Sequence, residues 1–312
     1  MDHNTLQKWT RKAVLIYGPH KSGSSLCQRL LDGHPSVWCY PTELKLKFYL
    51  KKPASGRTES LAFNQQFCLL DGVEHQNWDK QKFQQLNETI GITCCGLGDY
   101  ICGLAQASWA STSGAPKHPM FWIAKEVGGN PETVLNGWMQ LFFDGKVVLN
   151  FRHPLHVVRS IILLRRRTSL SMSLHRMWRA LNDTLRVTWF CAQMAKEPWA
   201  IPVLYESITG EAKEPILRQL CAFLDIPFDT VLLSPTIFGE KTVVGTSSRQ
   251  TTEVFSPEKK WQKGLRLHQV IWMGAVHYLL NHYYSRKAGM WHLRRYDRLS
   301  RELIRVANAK AV

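Results

Sequence analysis

Acidic residues are scarce in this chain: 24 Asp and Glu stand against 40 Lys and Arg in 312 residues, a net charge of +16. Such an imbalance points to polyanionic partners, whether a multiply phosphorylated cofactor, an acidic glycan, nucleic acid or a membrane surface, and by itself does not choose among them. Long apolar runs are also missing. No window approaches the roughly 18 residues that a membrane span requires. The first residues, MDHNTLQKWTRK, hold no apolar stretch, so neither a signal peptide nor an anchor is expected and a cytoplasmic location is. The Asn87 and Asn182 sequons are then without consequence. The eight cysteines form no C-x-x-C pair and no metal-ligand spacing with histidine, which leaves them as core thiols. There is no aspartate cluster to hold a metal, no internal repeat and no low-complexity segment. Apolar residues still make up 45%, enough for a large core, and a single domain over 1–312 is the expectation.

What is present alternates. AVLIY (13–17) is a short, wholly apolar run ending at Gly-Pro, as a strand buried on both faces does. Ser24 to Gly33 carries leucines at helical spacing, and Gly33 would stop the helix. FWIAKEV (121–127), KVVLNF (146–151) and IPVLYE (201–206) are further candidate strands. PETVLNGWMQLFF, a segment beginning at Pro154, and EPILRQLCAFLDI (214–226) are candidate helices. The alternation implies an α/β fold, a parallel sheet flanked by helices. Residues 51–118 are polar with scattered aromatics, among them Phe63, Phe67 and Trp78, and read as a partly helical insertion, either covering an acceptor pocket or only elaborating the fold.

The most informative stretch is GPHKSGSSL, from Gly18 to Leu26. Gly18 and Gly23 have the glycine spacing of a Walker phosphate loop, but Ser24 and Ser25 stand where Lys and Ser or Thr belong, and the lysine, Lys21, lies inside the loop. A glycine turn between strand and helix aims backbone N–H groups at an anion. Without the Walker lysine, a nucleotide carrying one 5′-phosphate with a transferable group beyond it suits the loop better than a triphosphate.

These residues resemble the 5′-phosphosulfate loop of the sulfotransferases, in particular the soluble, bacterial type. The family pattern P-[KR]-S-G-T-T-x-L is altered here by an extra His20 and by Ser-Ser for Thr-Thr. VVLNFRHPLHVVRS (147–160) resembles the family's 3′-phosphate motif, with Arg152 and Ser160 at its arginine and serine. Lys125, VLYESI around Tyr205, and KKWQKGL (259–265) with Lys263 resemble further family segments, so the likeness covers about 13–50 and 121–285.

The resemblance implies a P-loop-like sheet and a donor, 3′-phosphoadenosine 5′-phosphosulfate (PAPS), leaving adenosine 3′,5′-bisphosphate as product with no metal. It implies that Lys21, Ser22, Gly23, Ser24, Ser25, Leu26, Arg152, Ser160, Tyr205 and Lys263 bind the donor, and that Lys21 also neutralises the leaving phosphate. Glu43 is the implied general base; paired with Lys45 or Lys47 it would instead be an ordinary surface carboxylate. His75 and His118 are the alternative bases, and Lys125 and His118 are candidate acceptor contacts. Arg165, Arg166 and Arg167, with Arg176, Arg179 and Arg186, form either a solvated helix face or a track for an acidic acceptor. The expected acceptor is a hydroxyl or amine of a small secondary metabolite, with a glycan or lipid precursor as the alternative. A P-loop kinase or NTPase and a polyanion-binding protein are more remote. A nucleic-acid partner is not expected, and the protein is expected to be a monomer or homodimer.

Overall fold

The computed structural model describes residues 9–50, 74–93, 96–168, 172–242, 244–245, 250–251 and 260–310. Phe63, Phe67, Cys68, Cys94 and Cys95 lie outside these residues. The five-stranded, mostly parallel sheet has the order β2-β3-β1-β4-β5, with β1 Ala13–Gly18, β2 Val37–Glu43, β3 Phe121–Val127, β4 Lys146–Phe151 and β5 Ala200–Leu204. Every residue of β1 and β5 is buried, which is why these segments read as unbroken apolar runs. The helix α1 (Ser24–Leu31) follows β1.

The chain divides into two compact units. The first comprises Met1–Ile16, Gln28–Val147 and Asp229–Thr242. Here β2 runs parallel to β3, pairing Glu43 with Lys125 at its end. The short α2 (Leu46–Tyr49) follows β2. Within the described part of the 51–118 segment, α3 (Lys80–Thr93) and α4 (Leu97–Ala110) supply the helices its composition suggested. α5 (Pro131–Leu141) starts as read, with Pro131 in the first turn and Asn130 capping the Glu132 N–H. Asp32 is buried and fastens the hairpin β6–β7 (Thr236–Ile237, Glu240–Lys241) by accepting from Thr236 Oγ1 at 2.9 Å and Gly239 N at 2.8 Å.

The second unit comprises Tyr17–Cys27, Val148–Phe228 and Val243–Val312. It holds α6 (Pro154–Arg167), α7 (Leu174–Met194), α8 (Tyr205–Ile208), α9 (Lys213–Leu224), α10 (Leu267–Lys287) and α11 (Tyr296–Lys310). β5 ends at Leu204, not at residue 206: Tyr205 opens the helical turn α8, and its carbonyl accepts from Thr209 N at 3.1 Å and Thr209 Oγ1 at 2.8 Å. The arginine run at the end of α6 is partly structural. Arg166 donates to the Gly264 carbonyl and to Gln269 Oε1, and Arg159 Nε donates to the Lys263 carbonyl at 2.8 Å, so these arginines strap the 263–269 segment onto α6.

Candidate functional site

The GPHKSGSSL loop joins β1 to α1 in the second unit, and its backbone is set by local sterics. Gly23 takes φ +99°, and a Cβ there would meet Tyr205 Cδ2 at 2.3 Å. A Cβ on Gly18 would lie 2.5 Å from the Asn150 carbonyl oxygen and 2.9 Å from Ser22 Oγ. Lys21 is itself left-handed at φ 63°, an uncommon conformation for a lysine and one held only when its surroundings impose it. Arg152, at the end of β4, imposes it: Nη1 donates to the Lys21 carbonyl at 3.0 Å, and the guanidinium lies 4.1 Å above the Tyr205 ring. Gly23, Tyr205, Arg152 and Lys21 therefore form one stack.

Its polar atoms face inward. Ser22 is fully buried, yet its Oγ has no hydrogen-bond partner, and Arg152 Nε is likewise buried and unpartnered. Ser24 and Leu26 are buried in the first turn of α1, whose helical geometry leaves the leading N–H groups without acceptors four residues back. Partial burial, and then the Arg152 charge, hold the Lys21 ammonium below its ordinary pKa. Burial pushes the Cys27 thiol up to about 12, so it is inert packing beneath the loop.

α6 leaves Arg152 through His153, whose Nδ1 caps the helix by accepting from Leu155 N at 3.3 Å. Glu206 secures the corner: Oε1 accepts from His153 N at 3.1 Å and Oε2 from Tyr296 OH at 3.2 Å. Ser160 is buried two turns into α6. Lys263 is exposed and enters the same unit through the Arg159 strap. The structure thus gathers the residues of the two motifs into one unit. Arg159 and Glu206 were missed, because nothing in their local sequence distinguishes a backbone strap from a surface charge.

Glu43, Lys125, His75 and His118 belong to the first unit. Glu43 Oε1 lies 3.1 Å from Lys45 Nζ and 3.2 Å from Lys47 Nζ, and Lys47 Nζ lies 3.2 Å from Glu126 Oε1. Burial opposes ionisation of Glu43, but the two lysines outweigh it and hold its carboxyl below the usual range. Glu126, whose side chain is wholly buried, is pushed the other way, to about 7, by burial and by the Glu43 charge. Desolvation brings Lys125 down to about 8. Glu126 was not singled out from the sequence; its visible signal was a charge pair inside an otherwise apolar strand. His75 lies at 3.7 Å from Glu240 and against the Phe238 ring, while His118 sits exposed before β3. Among the described residues, no group of three or more His, Cys, Asp or Glu side chains has a metal-holding arrangement.

A family model described as "Sulfotransferase family" matches residues 13–230, from the first strand past the Arg152 motif. The chain belongs to the sulfotransferase family. Among solved structures, the sulfotransferase domain from the curacin biosynthetic pathway is 17% identical with a TM-score of 0.51, covering 86% of this chain and 97% of that one. The sulfotransferase domain from the Synechococcus PCC 7002 olefin synthase is 18% identical with a TM-score of 0.47, over 85% and 94% of the two chains. No curated protein matches. The first of these likenesses establishes a shared sulfotransferase fold and no more.

Proposed function

We propose that this sulfotransferase takes its sulfuryl group from PAPS and passes it to a hydroxyl or amine of a small molecule. The observation that carries the donor assignment is the loop: a left-handed Gly23 packed on Tyr205, with the buried Ser22 hydroxyl unpartnered, fits a 5′-phosphate in the cradle of backbone N–H groups. Arg152 and Ser160, a guanidinium at a strand end and a hydroxyl two turns into the following helix, suit a second phosphate, and Lys263 a closing cation. When bound, PAPS supplies an activated sulfur–oxygen bond to its own 5′-phosphate.

The chain's own work is positioning and charge neutralisation. Lys21 neutralises the phosphate oxygen that is released as the sulfur–oxygen bond breaks. Glu43 is paired with both Lys45 and Lys47, but its side chain is only 16% exposed, so it is not the surface carboxylate that such pairing could have made it. Held ionised, it accepts the proton that the acceptor atom loses as it bonds to sulfur. No step requires a metal. A fold-sharing domain from the curacin biosynthetic pathway is in keeping with a small-molecule acceptor.

Calorimetric titration with adenosine 3′,5′-bisphosphate in the absence of magnesium tests the donor. Micromolar binding, absent for ATP and lost in Arg152→Ala, is expected. Binding that needs magnesium and prefers ATP would return the loop to the kinases. Glu43→Gln is expected to abolish turnover while leaving that affinity intact; unchanged turnover would remove Glu43 from its role.

A further inference from the structure

The second unit carries an apolar face that its own packing does not use. Leu267, Ile271, Tyr278, Leu279 and Tyr283 of α10 are 74, 64, 68, 67 and 57% exposed, and Trp291, just beyond the helix, is 57% exposed. At roughly 100° per residue, the α10 positions fall within about half the helix circumference, along a length of roughly 24 Å. A contiguous exposed patch of this kind marks an interaction surface.

Its electrostatics narrow the occupant. Between 260 and 310 there are eleven Lys and Arg against two acids, Asp297 and Glu302, and α10 itself contains no acid. A second copy laid along α10 in an antiparallel sense would set Arg266 beside Arg286 and Lys287, which repel, and a parallel copy would set like against like.

Alongside the apolar face lies a cavity of about 440 Å³, lined by His277, Tyr278 and His282 of α10 together with Arg294, Arg295 and Asp297. Arg295 pairs with Asp297 at 3.5 Å, and Asn281 Nδ2 donates to the Arg294 carbonyl, fixing the turn that carries both arginines. α11 begins at this cavity, and its N-terminal dipole adds positive potential. Aliphatic and tyrosine–tryptophan side chains flanked by basic residues are the chemistry of a helix lying in a membrane interface, and a cationic pocket beside it suits the phosphate of a headgroup.

We propose that α10 and the cavity beside it form a docking site for an anionic lipid surface, with Leu267, Ile271, Tyr278, Leu279, Tyr283 and Trp291 entering the acyl boundary and Arg294 and Arg295 taking a headgroup phosphate. The cavity is also lined by His153, the residue after Arg152, and by Tyr296.

Co-sedimentation of the full chain tests it, using vesicles of phosphatidylcholine alone and with about a quarter phosphatidylglycerol at ~0.15 M salt. Two variants are compared, Ile271→Ser/Tyr278→Ser/Leu279→Ser and Arg294→Ser/Arg295→Ser, both altered at exposed positions and checked for unchanged thermal unfolding. The wild type is expected to partition onto the anionic vesicles and only weakly onto the neutral ones. The triple variant should lose roughly a hundredfold in partition coefficient, and the double variant roughly thirtyfold. A triple variant that binds as the wild type does would reduce the effect to non-specific attraction by a basic protein and overturn the proposal. So would a wild-type dimer that the triple variant splits in sedimentation, because α10 would then face a second copy. Glycerol 3-phosphate that binds at micromolar concentration without vesicles would also overturn it, making the cavity a site for a soluble phosphate.

Discussion

At Gly23 two constraints coincide, a left-handed backbone and the Tyr205 ring where a Cβ would stand. Gly23→Ala is therefore expected to lower the melting temperature and to weaken adenosine 3′,5′-bisphosphate by more than about tenfold, since forcing an L-residue here costs of order 1–3 kcal/mol before the clash is counted. Calorimetry and a thermal melt read both, and wild-type values would mean that the loop tolerates another turn. Glu126 makes a second residue-scale prediction. Its carboxyl titrates near 4.5 when unfolded and about 7 when folded, so the folded state holds a proton that the unfolded state has released between those values. Wild-type stability from this group is complete below about pH 4.5 and is lost as pH rises through 7. Glu126→Gln, which does not titrate, should gain on the wild type across that window, by up to about 1.4 kcal/mol per pH unit. Denaturant titrations of the two proteins at pH 5 and pH 8 supply the comparison, and a constant difference would show that Glu126 titrates normally.

At the scale of elements, several helices are held by single side chains that satisfy main-chain groups. Lys310, in the last turn of α11, donates to the carbonyls of Ala195, Glu197 and Ala200, which lie at the end of α7 and the start of β5. Lys310→Met is expected to cost about 1.5–3 kcal/mol, the range for hydrogen bonds from a charged donor. Hydrogen exchange should quicken through α11 while the α6 amides stay protected. Equal exchange in both proteins would mean that apolar packing through Leu299, Leu303 and Ala307 alone secures the helix.

For the molecule as a whole, the residues proposed to hold the donor all fall in the second unit. Adenosine 3′,5′-bisphosphate at about a hundred times its dissociation constant should add about 2.7 kcal/mol to unfolding. That gain should shrink with added salt and vanish in Arg152→Ala. A gain that persists in that variant would place the ligand elsewhere.

What the sequence determined by itself was whatever rests on chemistry close along the chain. The strands 121–127 and 146–151 and the Pro131 and Pro154 helix starts stand where periodicity placed them. The glycine loop and the Arg152 motif were legible because a tight turn and a strand-end guanidinium need particular residues at fixed spacing. β2 was not legible: VWCYPTE mixes a proline and polar residues with its apolar ones, and its identity as a strand depends on pairing with β3, far along the chain. Nor was the last turn of IPVLYE, which Tyr205 spends on a helix. Tertiary structure alone decided that Lys47 reaches Glu126, that Glu206 ties His153 to Tyr296, and that Arg159 and Arg166 serve as straps. In each case the deciding quantity is a distance between residues remote in sequence, together with the desolvation that burial imposes on them.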